Sequence, residues 1–159
     1  MSIEKAKEHI KKYGLENKIM IFDTSSATVE LAAQAVGCEP ERIAKTLSFK
    51  VDGKAILIVT AGDAKINNSK YKQQFSAKAT MLSPDEAISL VGHAVGGVCP
   101  FGINEGIDVY LDNSLQRFSS VFPACGSSNS AIELTLDELE KCAEFKEWID
   151  VCKLPEGSL

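Results

Sequence analysis

The chain has 159 residues and a mass of 17.2 kDa, 45% of them apolar and 25% charged. This is the composition of an ordinary globular protein, which excludes disordered, collagen-like and fibrous classes, and the length fits one domain over residues 1–159. A net charge of −5 and a pI near 5.1 argue at first sight against a nucleic-acid partner, and no run approaches the roughly 20 apolar residues of a membrane span.

The amino terminus is polar and lysine-rich, without the apolar run of a signal peptide, so a cytoplasmic location is expected. Residues 3–13 place Ile3, Ala6, Ile10 and Tyr13 at helical spacing, with Gly14 as the stop. IMIF (19–22) fits a short buried strand. In DTSSATVELAAQAVG, Asp23 to Ser26 offer helix N-caps, a helix runs through Val29, Ala32, Ala33 and Val36, and Gly37 is its C′ residue. Pro40 begins a second short helix that leads to Lys45.

The two β-rich runs of TLSFKV-DG-KAILIV flank Asp52-Gly53, the dipeptide suited to a type I′ turn, and predict a hairpin. A polar stretch from Asn67 to Phe75 fits a helix. In SPDEAISLVG, Ser83 caps, Pro84 sits at N1, Glu86 completes a capping box and Gly92 ends the helix. Thr135 and Glu138 repeat that box in TLDELEKC. Between these helices, AVGGVCPFGI (94–103), IDVYLD (107–112), VFPACG (121–126) and SAIELT (130–135) read as strands, with a short turn at SLQRF. Strands interleaved with helices predict a mixed sheet flanked by helices.

Five cysteines without CxxC spacing or a secretory signal point to free thiols, not to zinc or disulfides. His93 and Cys99 invite a thiolate–imidazole reading, but no third orienting residue is identifiable, and free cysteines are usually buried small hydrophobes. GGVCPFG (96–102) brackets Pro100 with glycines and reads either as a loop that approaches a ligand closely or as a corner between strands. Gly126 to Ser130 are small and polar, either ligand-facing donors or a hairpin loop. Lys45 is a charge at a helix–strand junction, which must snorkel or face a pocket.

Four segments stand in one order: DTSSATVELAAQAVG, RIAKTLSF, VGGVCPFG and GSSNSAIEL. Together they resemble the YbaK/EbsC family of aminoacyl-tRNA deacylases, related to the editing domain of bacterial prolyl-tRNA synthetases, over about residues 20–140. The resemblance implies an α/β (α+β type) fold, with a mixed, largely antiparallel, barrel-like sheet surrounded by helices. It implies hydrolysis of the ester of tRNA, tRNA-Pro in the first instance, mischarged with a small amino acid such as Cys, Ala or Ser, with Thr also open. No metal or cofactor is expected, since the ester is already activated and the substrate's ribose hydroxyl and an ordered water take part.

By the same resemblance Lys45, Gly96 and Gly97 are the catalytic positions. Thr24, Cys99, Pro100, Phe101, Gly102, Gly126, Ser127, Ser128, Asn129 and Ser130 are the substrate-binding ones. The implied partners are the mischarged tRNA 3′ end and prolyl-tRNA synthetase. The chain departs from the family pattern at Cys99, where many members carry Ser, and at Ala131, which stands where the family has aspartate. A catalytically inactive tRNA- or synthetase-binding module of the same fold and a Cys99 hydrolase are the rival readings. The charge objection weakens on inspection. Residues 1–80 hold 13 Lys/Arg against 9 Asp/Glu, including Lys65, Lys70, Lys72 and Lys78, while residues 81–159 hold 4 against 13. A domain that grips only a tRNA end needs few phosphate contacts.

Overall fold

The structure, a computed structural model, describes residues 2–155. Helix α1 (Ser2–Lys11) sinks Ala6 and Ile10 into the core, and Gly14 turns the chain at φ +72°. Strand β1 (Ile19–Ile21) is a rim strand rather than a buried one. Among the described residues it pairs only with Ser130–Ile132, and Ile21 stays 54% exposed. Helix α2 (Val29–Val36) ends at Gly37 in the left-handed region as expected. Its cap, however, is Thr28, whose hydroxyl accepts from the Leu31 N–H, and not one of residues 23–26. The segment before the cap is held elsewhere: the Phe22 and Ser26 N–H groups donate to the Asn129 and Ser128 carbonyls.

After a 3₁₀ turn at Pro40–Arg42 come β2 (Ile43–Val51) and β3 (Lys54–Ala61). They pair from Ala44↔Ala61 to Val51↔Lys54, around Asp52 at φ +51° and Gly53 at φ +78°, the positive pair that a type I′ turn needs. Strand β4 (Lys65–Ile66) precedes α3 (Asn68–Phe75), which Asn67 caps. The Ser83–Glu86 capping box starts α4 (Pro84–Glu86), which widens into a π-helical turn over Ala87–Val91 and stops at Gly92.

Residues 94–103, expected as a strand, are an irregular loop. Positive φ at Gly96 (+95°) and Gly102 (+66°) breaks any pleat. Strands β5 (Asp108–Asp112) and β6 (Ser120–Pro123) flank a 3₁₀ turn at Asn113–Arg117. The expected strand over 130–135 is two strands, because β7 (Ser130–Ile132) pairs with β1 while β8 (Leu134–Thr135) pairs with β6. Helix α5 (Leu136–Ala143) carries the second capping box, and β9 (Glu147–Ile149) and β10 (Cys152–Lys153) follow.

Six strands form one mixed sheet in the order β8-β6-β2-β3-β5-β9, curled into a half-barrel and accompanied by the five helices. Four ladders are antiparallel (β1–β7, β2–β3, β4–β10, β6–β8) and three parallel (β2–β6, β3–β5, β5–β9). Strand β3 is the spine: Leu57, Ile58 and Val59 are fully buried and share a core with Ile10 of α1 and Leu139 of α5. Phe49 stacks on Tyr71 with ring centroids 5.1 Å apart, and Phe75 meets Tyr110 edge-on at 5.2 Å, so α3 is pinned to the sheet by aromatic contacts.

Gly102 closes the 94–103 loop onto α1, where an added Cβ would lie 2.4 Å from the Lys5 carbonyl oxygen. Gly106 also has a positive φ, +85°, but open space around it. Gly106→Ala is therefore expected to cost about 1 kcal/mol of left-handed strain, and Gly102→Ala about 3 kcal/mol or more, from strain plus overpacking. Chaotrope unfolding of the two variants measures this; equal costs would contradict the packing role of Gly102.

Candidate active site

The site begins with a gap in hydrogen bonding along β2. Strand β6 pairs with β2 only at Ile43 and Ala44. The chain rejoins that edge at Ser48, whose carbonyl accepts from Leu82 N–H, and at Lys50, whose N–H donates to the Thr80 carbonyl. Backbone groups alternate along a strand, so Ser48 and Lys50 pointing away from β3 place the N–H and C=O of Thr46 on the same outer side. Neither β6 nor residues 80–82 pair with Thr46 there. A cavity of about 340 Å³ fills the gap.

All four ordered segments line it: RIAKTLSF supplies β2 itself, and the other three close around the gap. Ser26, Thr28 and Ala32 come from the α2 approach, Gly96 from the glycine loop, and Ser130 and Ala131 from β7. Their mutual fit depends on absent side chains. A Cβ on Gly96 would sit 3.2 Å from Ala27 Cβ, and one on Gly97 would meet Ser127 N at 2.7 Å. Gly97 thus seats the glycine loop on the 126–130 loop. That loop is internally tied, with Ser127 Oγ donating to Asn129 Oδ1 (2.9 Å) and lying 2.8 Å from Ser130 Oγ, and with Asn129 Nδ2 donating to the Phe22 carbonyl (3.0 Å). Met81 and Val95, 56% and 67% exposed, form an apolar rim at the mouth.

Lys45 is the ionisable side chain that lines this cavity. Its ammonium donates to the Ala64 carbonyl at 2.6 Å and the Gly62 carbonyl at 3.3 Å, which accounts for two of its three N–H donors. Burial pulls its pKa below the usual lysine value, with Asp63 among the groups that offset the shift. The turn that holds it is fixed in turn. Arg117 donates to both Asp63 oxygens, at 3.1 and 2.5 Å, a bidentate pair with both side chains mostly buried. A side chain on Gly62 would strike the Pro40 carbonyl at 2.1 Å. No sequence signal marked Gly62, Asp63 or Arg117.

Two further lining groups were also missed. Among the described residues Ser26 Oγ and Thr46 Oγ1 are buried and have no hydrogen-bond partner, and Ser26 is only 6% exposed. A buried hydroxyl left unpaired costs free energy; Glu16 Oε2, Tyr71 Oη and His93 Nδ1, outside this lining, are buried and unpaired as well.

Of the expected site residues, Lys45, Gly96 and Ser130 line the cavity, and Gly97 supports it from behind. The others do not line it. Thr24 is exposed ahead of the α2 cap, Gly126 to Asn129 build the loop behind Ser130, and Phe101 is fully buried in the core. Pro100 and Gly102 face a different depression, of about 850 Å³, between α1 and residues 102–107. Its Glu144 is already engaged by Tyr13 (2.7 Å), Lys12 (3.4 Å) and His9 (3.5 Å), so it offers less open chemistry despite its size. The expected lysine cluster also lies outside the lining, and Lys70 is spent on Asp150 and the Cys152 carbonyl, each at 3.0 Å.

Cys99 and His93 do meet, with Sγ 3.5 Å from Nε2, but they are not a catalytic pair. The same Nε2 lies 2.7 Å from the Phe101 carbonyl, which can only accept, so Nε2 carries the proton and cannot take one from the thiol. Cys99 is fully buried and burial pushes its thiol up to about 12; burial also lowers the His93 pKa. Among the described residues no group of three or more His, Cys, Asp or Glu is placed to hold a metal ion, and no helix is long and apolar enough to cross a membrane.

Comparison with known proteins shows the family and the fold. The sequence profile described as the aminoacyl-tRNA editing domain matches residues 23–142. The chain is 55% identical over 154 residues to a Bacillus subtilis protein named uncharacterized protein YwhH, covering 96% of this chain and 98% of that one. It is 27% identical over 155 residues to a proline–tRNA ligase of a Geobacillus species, covering 97% of this chain but only 26% of the ligase. Among solved structures, one described as a candidate trans-editing enzyme for prolyl tRNA synthetase superposes with a TM-score of 0.86 at 27% identity, covering 96% of this chain and 97% of that one.

Iodoacetamide at pH 8 is expected to alkylate the half-buried Cys38 first and to leave Cys99 unmodified in the folded chain, because Cys99 has neither access nor thiolate character. Peptide mass spectrometry reads the order. Early modification of Cys99 would contradict its assignment to the core.

Proposed function

The chain belongs to the aminoacyl-tRNA editing domain family, and from that premise we propose that it is an aminoacyl-tRNA deacylase, a single editing domain acting in trans in the cytoplasm. Its substrate is tRNA, tRNA-Pro in the first instance, mischarged with a small amino acid. The observation that carries this reading is the Lys45 ammonium, held by two carbonyls in a cavity at an unpaired strand edge. The described relative of similar length, a candidate trans-editing enzyme for prolyl tRNA synthetase, supports the action in trans.

In the reaction a water oxygen bonds to the ester carbonyl carbon, the bond to the ribose oxygen breaks, and that oxygen takes a proton. Amino acid and tRNA leave. The ester is activated already, so positioning and charge stabilisation supply much of the acceleration. Lys45 anchors the terminal phosphate with its remaining N–H as a point charge. Thr46 offers its unpaired N–H to the carbonyl oxygen as negative charge develops. The Gly96 loop, seated on Ala27 and Ser127 with no room for a side chain, closes the amino-acid end against large residues. Exclusion by size serves better than differential contact here, since one methylene is worth only about 1–3 kcal/mol.

Lys45→Met is expected to abolish most deacylation, by about 100-fold or more in kcat/KM, while stability changes by about 1 kcal/mol or less. The small stability change follows because the ammonium's hydrogen bonds are offset by the cost of burying its charge. The test is a panel of Ala-, Ser-, Cys- and Thr-charged tRNA-Pro with wild type and variant. Full activity in Lys45→Met would refute the assignment, and tRNA binding without turnover by the wild type would favour a binding module of the same fold.

A further inference from the structure

We propose that Lys65 and Lys153 form a phosphate-binding surface beside the cavity, which leads the phosphodiester backbone of the tRNA 3′ strand to Lys45. The proposal extends the deacylase reading and rests on it for the identity of the strand. In the β4–β10 ladder Lys153 is the direct antiparallel partner of Lys65. Directly opposed residues share a face, with Cβ atoms about 4.5–5.5 Å apart. Both lysines are exposed, while the other pair of the ladder, Ile66 and Cys152, joins the core.

Two like charges facing each other oppose the pairing that brings them together. This ladder is two pairs long and has little to set against that repulsion. Among the described residues neither ammonium has a carboxylate within ion-pair distance. The acids close by in the chain are committed, Asp150 to Lys70 at 3.0 Å and Asp63 to Arg117. Glu30, in the first turn of α2, also acts on Lys45 but lies on neither strand. A polyanion that meets both ammonium groups at once turns the repulsion into attraction.

The pair adjoins the candidate active site. The Ala64 carbonyl that holds the Lys45 ammonium at 2.6 Å belongs to the peptide bond leading into Lys65. Burial is the main cause of the lowered Lys45 pKa and the Lys65 charge adds to it, so the two cations sense each other. A strand whose terminal phosphate meets Lys45 thus brings an upstream phosphate within reach of Lys65 and Lys153. Lysine meets phosphate as a point charge, so this surface reads no base sequence and does not choose between tRNAs.

The experiment measures binding of labelled, uncharged tRNA-Pro against salt concentration, and KM and kcat for the aminoacyl ester of the panel that wild type hydrolyses best. The proteins are wild type, Lys65→Gln, Lys153→Gln and, as control, Lys54→Gln, an exposed lysine at the far end of β3 from Ala64. Each of the first two substitutions is expected to lower the slope of log Kd against log salt by about 0.7. At about 0.15 M salt that weakens binding about three- to fivefold and raises KM to match, with kcat held. Melting temperatures at low salt are expected to stay level or rise, since one of two facing charges is gone. The control leaves the slope where it was. No binding by wild type, unchanged slopes, a loss matched by Lys54→Gln, a fall in kcat in place of the rise in KM, or a lowered melting temperature would overturn the assignment. None of these touches the deacylase reading. A wild type that shows the expected slopes but hydrolyses no ester keeps the phosphate surface and overturns the deacylase reading instead.

Discussion

The arrangement depends on an interruption in pairing along one strand. Strand β6 leaves β2 after Ala44, and residues 80–82 take up the same edge only from Ser48. An unpaired backbone edge inside a protein is costly unless water or a ligand satisfies it. Here the interruption opens a cavity instead of a core, and every element of the site is placed relative to it. The opposite edge of β2 stays fully paired with β3, so the gap sits on a rigid support and not on a loop.

Lys45 shows how that support sets electrostatics. A cation three residues into a central strand would ordinarily snorkel to water. The Gly62–Ala64 turn meets it with two carbonyls, and the Arg117–Asp63 pair keeps the turn in place. Burial still lowers the lysine's pKa, so the charge is held at an energetic cost. Retaining such a group in a cavity lining fits a role in binding better than a role in folding. The chain's overall acidity does not oppose this, because a single well-placed cation can meet a terminal phosphate without a basic face.

Much of the scaffold was legible in the sequence because local chemistry decided it. Asp52-Gly53 can only suit a tight turn with two positive φ values, and the Ser83–Glu86 and Thr135–Glu138 boxes satisfy their own helix termini. The AVGGVCPFGI stretch misled because Val, Cys and Phe favour strands, whereas its glycines serve to pack backbone on backbone at Lys5 and Ser127. Strands β4, β9 and β10 have two or three residues each, too few for a period to show. At the site, Lys45 stood out as a charge on a strand, and the ordered motifs identified the glycine loop. Ser26, Thr46 and the Gly62 turn could not be found that way. What distinguishes them is a missing partner or a close approach, and both depend on segments far apart in the chain.

The central claim is that the aminoacyl end of tRNA enters the gap beside Lys45. Binding of a non-hydrolysable mimic, 3′-serylamino-3′-deoxyadenosine 5′-monophosphate, followed by backbone amide chemical shifts, tests it most directly. The account predicts the largest shifts at Ser26, Thr46 and Gly96, lost in Lys45→Met. Shifts confined to Asn104, Gly106 and Glu144, in the depression beside α1, would contradict it.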